Sequence, residues 1–383
     1  MKVAVTKATL QVPPTYFAVQ HAIALSDRFD FRFFASAANV TDDTVRERVS
    51  ITDVSRSIPL LRGRHYSFRD KIAPLLDVPT SRAISRWTPD VIHQHFATLS
   101  GAAVRAHRRR QVPMLVTVHG ADVYVPFTPL ASRRGLSRAL LAHHQRTVLR
   151  AFDEASTVLA VSEYLAGRVV EAGADPRKVE VHYQGIDTDM YTPAVRPESS
   201  DVPVVAFVGA LSEAKGVRDL LAASLSIASR TPHRLVFAGD GPLRELLDRA
   251  ALEHSHVEVL GSVTRDRIKQ LLAGATALAL PTQEWKGWRE AAGLVTLEAQ
   301  AMGVPVVVYD SGGAREMFQH ASTGLLVTEG DVAELGGAIE QILTLPGAEH
   351  AAMGQRARAF VVENRSLATS AAQLADHYQE AVS

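Results

Sequence analysis

Two glutamates separated by seven residues, Glu290 and Glu298, flank a small-residue turn in EWKGWREAAGLVTLEAQAMGVPVVVYDSGG, residues 284–313. Gly293 between them suits the cap of a helix, LVTLEAQAM, whose Leu294, Leu297 and Ala301 fall on one face. Gly303 and Pro305 supply the stop. The first backbone N–H groups of such a helix, at Leu294 and Val295, have no partner within it and favour an anion such as a diphosphate. A carboxylate beside that anion would repel it, so the glutamates need another task. Each can accept hydrogen bonds from two hydroxyls. A ligand with vicinal hydroxyls on both sides of a diphosphate is a nucleotide sugar; on this reading Glu298 holds the ribose and Glu290 the transferred sugar.

A second stretch, VGALSEAKGVRDLL at residues 208–221, ends a strand at Gly209 and starts a helix near Gly216, with Lys215 at the turn. A helix dipole disfavours a cation at that end, so Lys215 points to a ligand that needs its charge, again a diphosphate. His95, His119, Gly120, Asp122, Gly185, Asp187, Gly239, Gly241, Gly312 and Gly313 all stand at or just after the ends of predicted strands. Open parallel sheets bind ligands at these carboxyl ends, where glycine permits close backbone approach.

The elements that must position these residues alternate. Strands are predicted at KVAVT, DFRFF, DVIHQH, PMLVTV, STVLAV and KVEVHY, then at VPVVAFVG, RLVFAG, VEVL, ATALAL, VPVVVYD and GLLV. Amphipathic stretches such as LSRALLAHHQRTVLRAF and DRIKQLLAGA lie between them. Strand and helix in alternation, twice over, imply two doubly wound parallel-sheet domains. The expected division is residues 1–192 and 203–366, joined by a Pro- and Ser-rich linker at 193–202. A final helix, 367–383, is expected to pack back on the first domain.

A chain of 383 residues with 46% hydrophobic and 21% charged residues is globular and long enough for two cores. It has no cysteine, which excludes disulfides and thiolate metal sites. No apolar run reaches a membrane span, and the N-terminal residues start like a strand rather than a signal peptide, so a cytoplasmic location is expected. Net charge is zero, but residues 1–195 carry 25 Lys and Arg against 18 Asp and Glu. The densest run, RAHRRR at Arg105–Arg110, fits a solvated helix end at the rim opposite the chemistry, or a patch for an anionic lipid or acidic acceptor.

The motif set resembles the family-4 retaining glycosyltransferases, which have the GT-B architecture of two Rossmann-like domains facing a cleft. The family's two glutamates match EAAGLVTLE, its glycine-rich lysine loop matches GALSEAKG, and FAGDGP, STGLLV, VEVHYQGIDTDMYTP, DVIHQHFA and VTVHGADV fit as well, over nearly the whole chain. The resemblance implies a metal-independent hexosyltransferase of the exopolysaccharide or glycolipid type. It would use a nucleotide diphosphate sugar as co-substrate and no cofactor. Its donor site would comprise Gly209, Lys215, Gly241, Glu290, Gly293, Leu294, Val295 and Glu298. His119 would act beside the reacting sugar carbon with Glu290 and Lys215, and His95 and Asp122 would lie on the acceptor side. The acceptor would be a sugar, a lipid-linked molecule or a small hydroxyl compound, and no nucleic acid is implied; peripheral contact with the inner face of an anionic membrane is expected from the basic run at Arg105–Arg110. The family's arginine beside Gly209 is Ala210 here, with Arg289 or Arg218 as candidate substitutes. The N-terminal glycine pair is replaced by VPPTYFAVQ, and the phenylalanine after the first glutamate by Ala292.

Other readings remain. DTD at 187–189 resembles a metal-binding Asp-x-Asp, HHQ at 143–145 lacks a third ligand at useful spacing, and no G-x-G-x-x-G opens a helix as a nicotinamide site requires. The rivals are a sugar-nucleotide epimerase of the same architecture and a non-catalytic sugar-nucleotide-binding protein. A phosphorylase would need a lysine placed for pyridoxal phosphate.

Overall fold

The structure, a computed structural model, describes residues 1–13, 15–124, 135–193 and 202–383, the side chains of 135–140 excepted. The chain divides into two compact units: Met1–Gln184 with Ser370–Ser383, and Gly185–Thr369.

In the first unit the strands are β1 Lys2–Thr6, β2 Thr9–Val12, β3 Asp30–Ala35, β4 Ala37–Val40, β5 Ser50–Asp53, β6 Val91–His95, β7 Met114–Val118, β8 Thr157–Ala160 and β9 Val179–Val181. Seven form one parallel sheet in the order β5-β3-β1-β6-β7-β8-β9, while β2 and β4 pair separately. β6 and β7 are buried at every position. That is the pattern of parallel strands covered on both faces. The second unit holds β10 Val204–Val208, β11 Arg234–Ala238, β12 Val257–Gly261, β13 Ala277–Leu280, β14 Val306–Tyr309 and β15 Gly324–Val327. They form a six-stranded parallel sheet in the order β12-β11-β10-β13-β14-β15, the doubly wound order of dinucleotide-binding domains. Strand order reverses once in each sheet, between β1 and β6 and between β10 and β13. Loops leaving those strand pairs diverge to opposite faces, and the gap between them is where such sheets take ligands.

The division falls at Gln184/Gly185, not at residue 192. The backbone N–H of Ile186 donates to Arg365 O at 3.0 Å, Leu367 N–H returns to Ile186 O at 2.6 Å, and Arg358 Nη1 donates to Tyr191 O at 3.0 Å. These bonds tie the segment after Gln184 to the second unit. Of the expected linker, residues 194–201 lie outside the described residues.

The last helix, Leu367–Val382, contributes Ala371, Leu374, Ala375 and Tyr378 to the first unit's core, beside Val3, Val5, Phe33 and Val91. Its polar contacts there are histidines. His21 Nε2 meets Ser370 Oγ at 2.8 Å, His182 Nε2 meets Ser370 O at 2.9 Å, and His93 bonds Tyr378 Oη at 2.6 Å and Thr117 Oγ1 at 2.7 Å. Burial disfavours their charged form. It pushes His182 down to about 4 and His21 to about 3, and lowers His93 well below the usual histidine range. No helix among the described residues is long and apolar enough to cross a membrane.

These histidines give the fold a signed pH dependence. The unfolded chain takes up their protons below about pH 6.5, and the folded chain does so only near pH 4 and below. Their contribution is intact above the unfolded value and declines as pH falls toward the folded values, by on the order of 2 kcal/mol per histidine at about pH 5. Tm measured between about pH 7 and about pH 5 should fall, and should fall less in His182→Asn. A Tm that is flat over this range contradicts the assignment.

Candidate active site

Sheet order decides which distant residues meet. Lys215 lies on the loop after β10 and Glu290 on the loop after β13, and these two strands are neighbours at the reversal point. The Lys215 ammonium donates directly to the Glu290 carboxylate, with both side chains mostly buried. The Trp288 ring lies 5.5 Å from the same ammonium. Both loops are fixed from beneath. Gly216, at φ +64°, closes the turn after Lys215, and a Cβ there would stand 1.8 Å from Pro281 O, so only glycine lets the two loops approach. The Glu290 carbonyl accepts the N–H of Gly313 at 2.9 Å. The sequence gives the two residues separate tasks; the structure joins them.

Gly293, in the left-handed region at φ +75°, caps the helix Leu294–Ala301. The N–H groups of Leu294 and Val295 form no hydrogen bond among the described residues, so they remain available to an anion beside the Lys215–Glu290 pair. Glu298 lies one turn further in and receives a hydrogen bond from Tyr191, with Arg265 nearby. Burial raises the Glu298 carboxyl to about 7, against the opposing pull of Tyr191 and Arg265. Near neutral pH this group can both donate to and accept from a diol. Gly209 and Gly241 belong to two loops zipped backbone to backbone. Gly209 N–H donates to Ala238 O at 3.0 Å, and a Cβ on Gly241 would meet Leu211 O at 2.6 Å. Their part is loop apposition. Of the two arginines considered for the place of Ala210, Arg289 is bound to Glu329 and to Ser311 Oγ, and Arg218 to Glu213 at 2.8 Å.

In the first unit, His95 and His119 leave adjacent strands and hydrogen-bond to each other, Nδ1 to Nε2, at 3.0 Å. His119 Nδ1 also meets the side-chain amide of Gln184 at 3.0 Å, and the ring lies against Phe17 and Phe96. Burial first, and the neighbouring Lys7 second, hold His119 well below the usual histidine range, so it is neutral. Lys7 stands just after β1, over the Phe96 ring at 5.1 Å, and burial lowers it to about 8. Asp122 is buried, and its carboxylate accepts the N–H groups of Ala97, His119 and Gly120 at 3.0, 3.1 and 2.9 Å. Its oxygens are therefore engaged in holding the loops that carry His119. Asp187 is similarly engaged, accepting the N–H groups of Asp189 and Met190 at 3.0 Å each. No group of three His, Asp or Glu placed to hold a metal ion occurs among the described residues.

Sequence reasoning missed Lys7, Tyr191 and Gln184. Lys7 follows a strand at a reversal point, so the rule of carboxyl ends could have found it. Nothing in the sequence links Tyr191 to Glu298 or Gln184 to His119.

Two family models match nearly end to end: Glycosyltransferase Family 4 over residues 16–190, and Glycosyl transferases group 1 over residues 192–360. The chain is 30% identical over 342 residues to the GDP-mannose-dependent alpha-(1-6)-phosphatidylinositol monomannoside mannosyltransferase of Mycobacterium tuberculosis, covering 85% of this chain and 84% of that protein. It is 31% identical over 287 residues to the D-inositol 3-phosphate glycosyltransferase of Mycobacteroides abscessus, covering 69% and 62% respectively. In fold it is similar to Anabaena HepE in complex with UDP, with TM-score 0.74 and 22% identity over 99% of this chain and all of that one. It is also similar to a glycosyltransferase from Rickettsia africae, with TM-score 0.76 and 17% identity over 100% and 98%.

The raised Glu298 carboxyl carries a stability consequence. A group whose folded pKa exceeds its unfolded value contributes fully below the unfolded value and loses that contribution as pH rises through the folded one. Glu298→Gln keeps an acceptor for Tyr191 and removes the titration. Above about pH 7 the variant should be more stable than the parent by on the order of 2 kcal/mol, with the difference vanishing toward about pH 4.5. Denaturant unfolding at both pH values checks this; a variant less stable at the higher pH contradicts it.

Proposed function

Because this chain belongs to the family-4, group 1 glycosyltransferases, we propose that it moves a sugar from a nucleoside-diphosphate donor to a hydroxyl acceptor with retention at the anomeric carbon and without a metal. The observation that carries the reading is the convergence in the second unit of a lysine, a carboxylate and two unpartnered helix N–H groups. The Lys215 ammonium and the N–H groups of Leu294 and Val295 suit the diphosphate. Glu290 suits the sugar hydroxyls, and Glu298 with Tyr191 the ribose diol. The C1–oxygen bond breaks with its electron pair leaving on the diphosphate. The acceptor oxygen attacks the same face, and its proton passes to the departing phosphate oxygen. Charge developing on that oxygen is stabilised by donors fixed in advance, so no side chain acts as nucleophile.

The Mycobacterium tuberculosis relative is named for a phosphatidylinositol monomannoside acceptor. That supports a lipid-linked acceptor here, met by a cytoplasmic enzyme at the inner face of an anionic membrane. Turnover should persist in excess chelator, and an α-configured donor should give an α-linked product by NMR of the anomeric proton. Loss of activity with chelator and rescue by Mn²⁺ would return Asp187 and Asp189 to the site; a β-linked product would remove the same-face route.

A further inference from the structure

Apart from the candidate active-site residues, the first unit has a cavity of about 590 Å³ lined by Arg82, Arg105, Arg109, Arg150 and His143, with Pro74 and Val78 at its edge. Helices Asp77–Trp87, Gly101–Arg110 and Gly135–Glu154 supply these cations. The four arginines form no ion pair with another described residue. Arg108, by contrast, is held by Glu154 on the last of those helices. The cavity's one carboxylate, Asp77, faces Arg105 and His143 and also accepts the N–H of Ala102 at the start of the Gly101–Arg110 helix, so it offsets only part of the positive charge. Residues 54–110 carry eleven Lys and Arg against three Asp and Glu, so the excess charge is regional.

The same stretch exposes apolar side chains. Leu60, Phe68, Leu75 and Val78 are four of the eleven large exposed hydrophobics among the described residues, and Leu75 is 80% exposed. Leu75 is next to Pro74, and Val78 itself lines the cavity. A soluble phosphate compound would use the arginines and leave these side chains unexplained. An acidic protein would need a broad complementary surface, whereas a bilayer offers phosphates and hydrocarbon at adjacent depths. We propose that this cavity takes the phosphate of an anionic lipid headgroup while Leu75 and Val78 enter the boundary between headgroups and acyl chains. The proposal shares with the functional reading only the presence of a membrane, and none of its residues belongs to the donor site.

The test is co-sedimentation of the full chain with vesicles of phosphatidylcholine alone or with phosphatidylglycerol, at low and high salt. Binding should require phosphatidylglycerol and weaken with salt. A charge near such a surface is worth about five-fold in affinity, so the triple variant Arg82→Ser, Arg105→Ser, Arg109→Ser should lose on the order of a hundred-fold. The corresponding triple lysine variant keeps the charge and should bind within about five-fold of the parent. Leu75→Ser with Val78→Ser, at exposed positions that leave the core intact, should lose about ten-fold. UDP and GDP binding, measured on the same samples, should be unchanged throughout; failure of the parent chain to bind either nucleotide would remove the donor reading and leave the vesicle result standing. Equal binding to phosphatidylcholine, or an unchanged affinity in the serine triple, would overturn the membrane site. Arginine-dependent binding of inositol hexakisphosphate with no vesicle binding would overturn it in favour of a soluble polyanion.

Discussion

Lys215 and Glu290 lie 75 residues apart and touch because β10 and β13 are neighbours where the strand order of the second sheet reverses. Much of the candidate site follows from that adjacency. The loop after β10 ends in Gly216 against Pro281, the first residue after β13, and the loop after β13 rests on Gly312 and Gly313 beyond β14. Loops leaving three neighbouring strands thus hold one cation, one carboxylate and one helix N-terminus together. Each partner satisfies the other. Under the proposed function, a donor diphosphate would compete with Glu290 for Lys215 and would free Glu290 for sugar hydroxyls, coupling recognition of the two halves of the donor.

The first unit keeps a cluster of buried histidines uncharged. His21, His93, His95, His119 and His182 share a buried region with Lys7 close by, and desolvation outweighs every favourable contact they make. A neutral His119 fixed by His95 and Gln184 presents a defined edge rather than a mobile charge. The same buried region docks the final helix, His21 through Ser370 and His93 through Tyr378.

The β-branched runs made twelve strands legible, since buried parallel strands have few other sequence solutions. β2, β4 and β5 were not legible: TLQV, AANV and SITD are short and mixed, and they become strands only through partners already in place. The helix after Gly293 could be read from its cap and periodicity. The contact between Lys215 and Glu290 could not, because it depends on sheet order rather than on either local pattern. The side-chain direction of Asp122 was equally hidden: its position after β7 suggests an open site, while its oxygens turn inward to backbone N–H groups. Segment 185–193 resembles the tail of one domain in sequence, yet belongs to the other through backbone bonds near residue 365.

The central claim, that Glu290 occupies the place on Lys215 which a donor diphosphate must take, is tested most directly by a double-mutant cycle read by calorimetric titration with UDP and GDP. Lys215→Ala should weaken binding by about 1.5–3 kcal/mol. Glu290→Gln should tighten it by about 1 kcal/mol, the scale of a partly exposed ion pair. In the Lys215→Ala background Glu290→Gln should have a different effect from that in the parent, because the competition for Lys215 is gone and only the repulsion between carboxylate and diphosphate is relieved. Additive effects, or weaker binding in Glu290→Gln alone, would contradict the account.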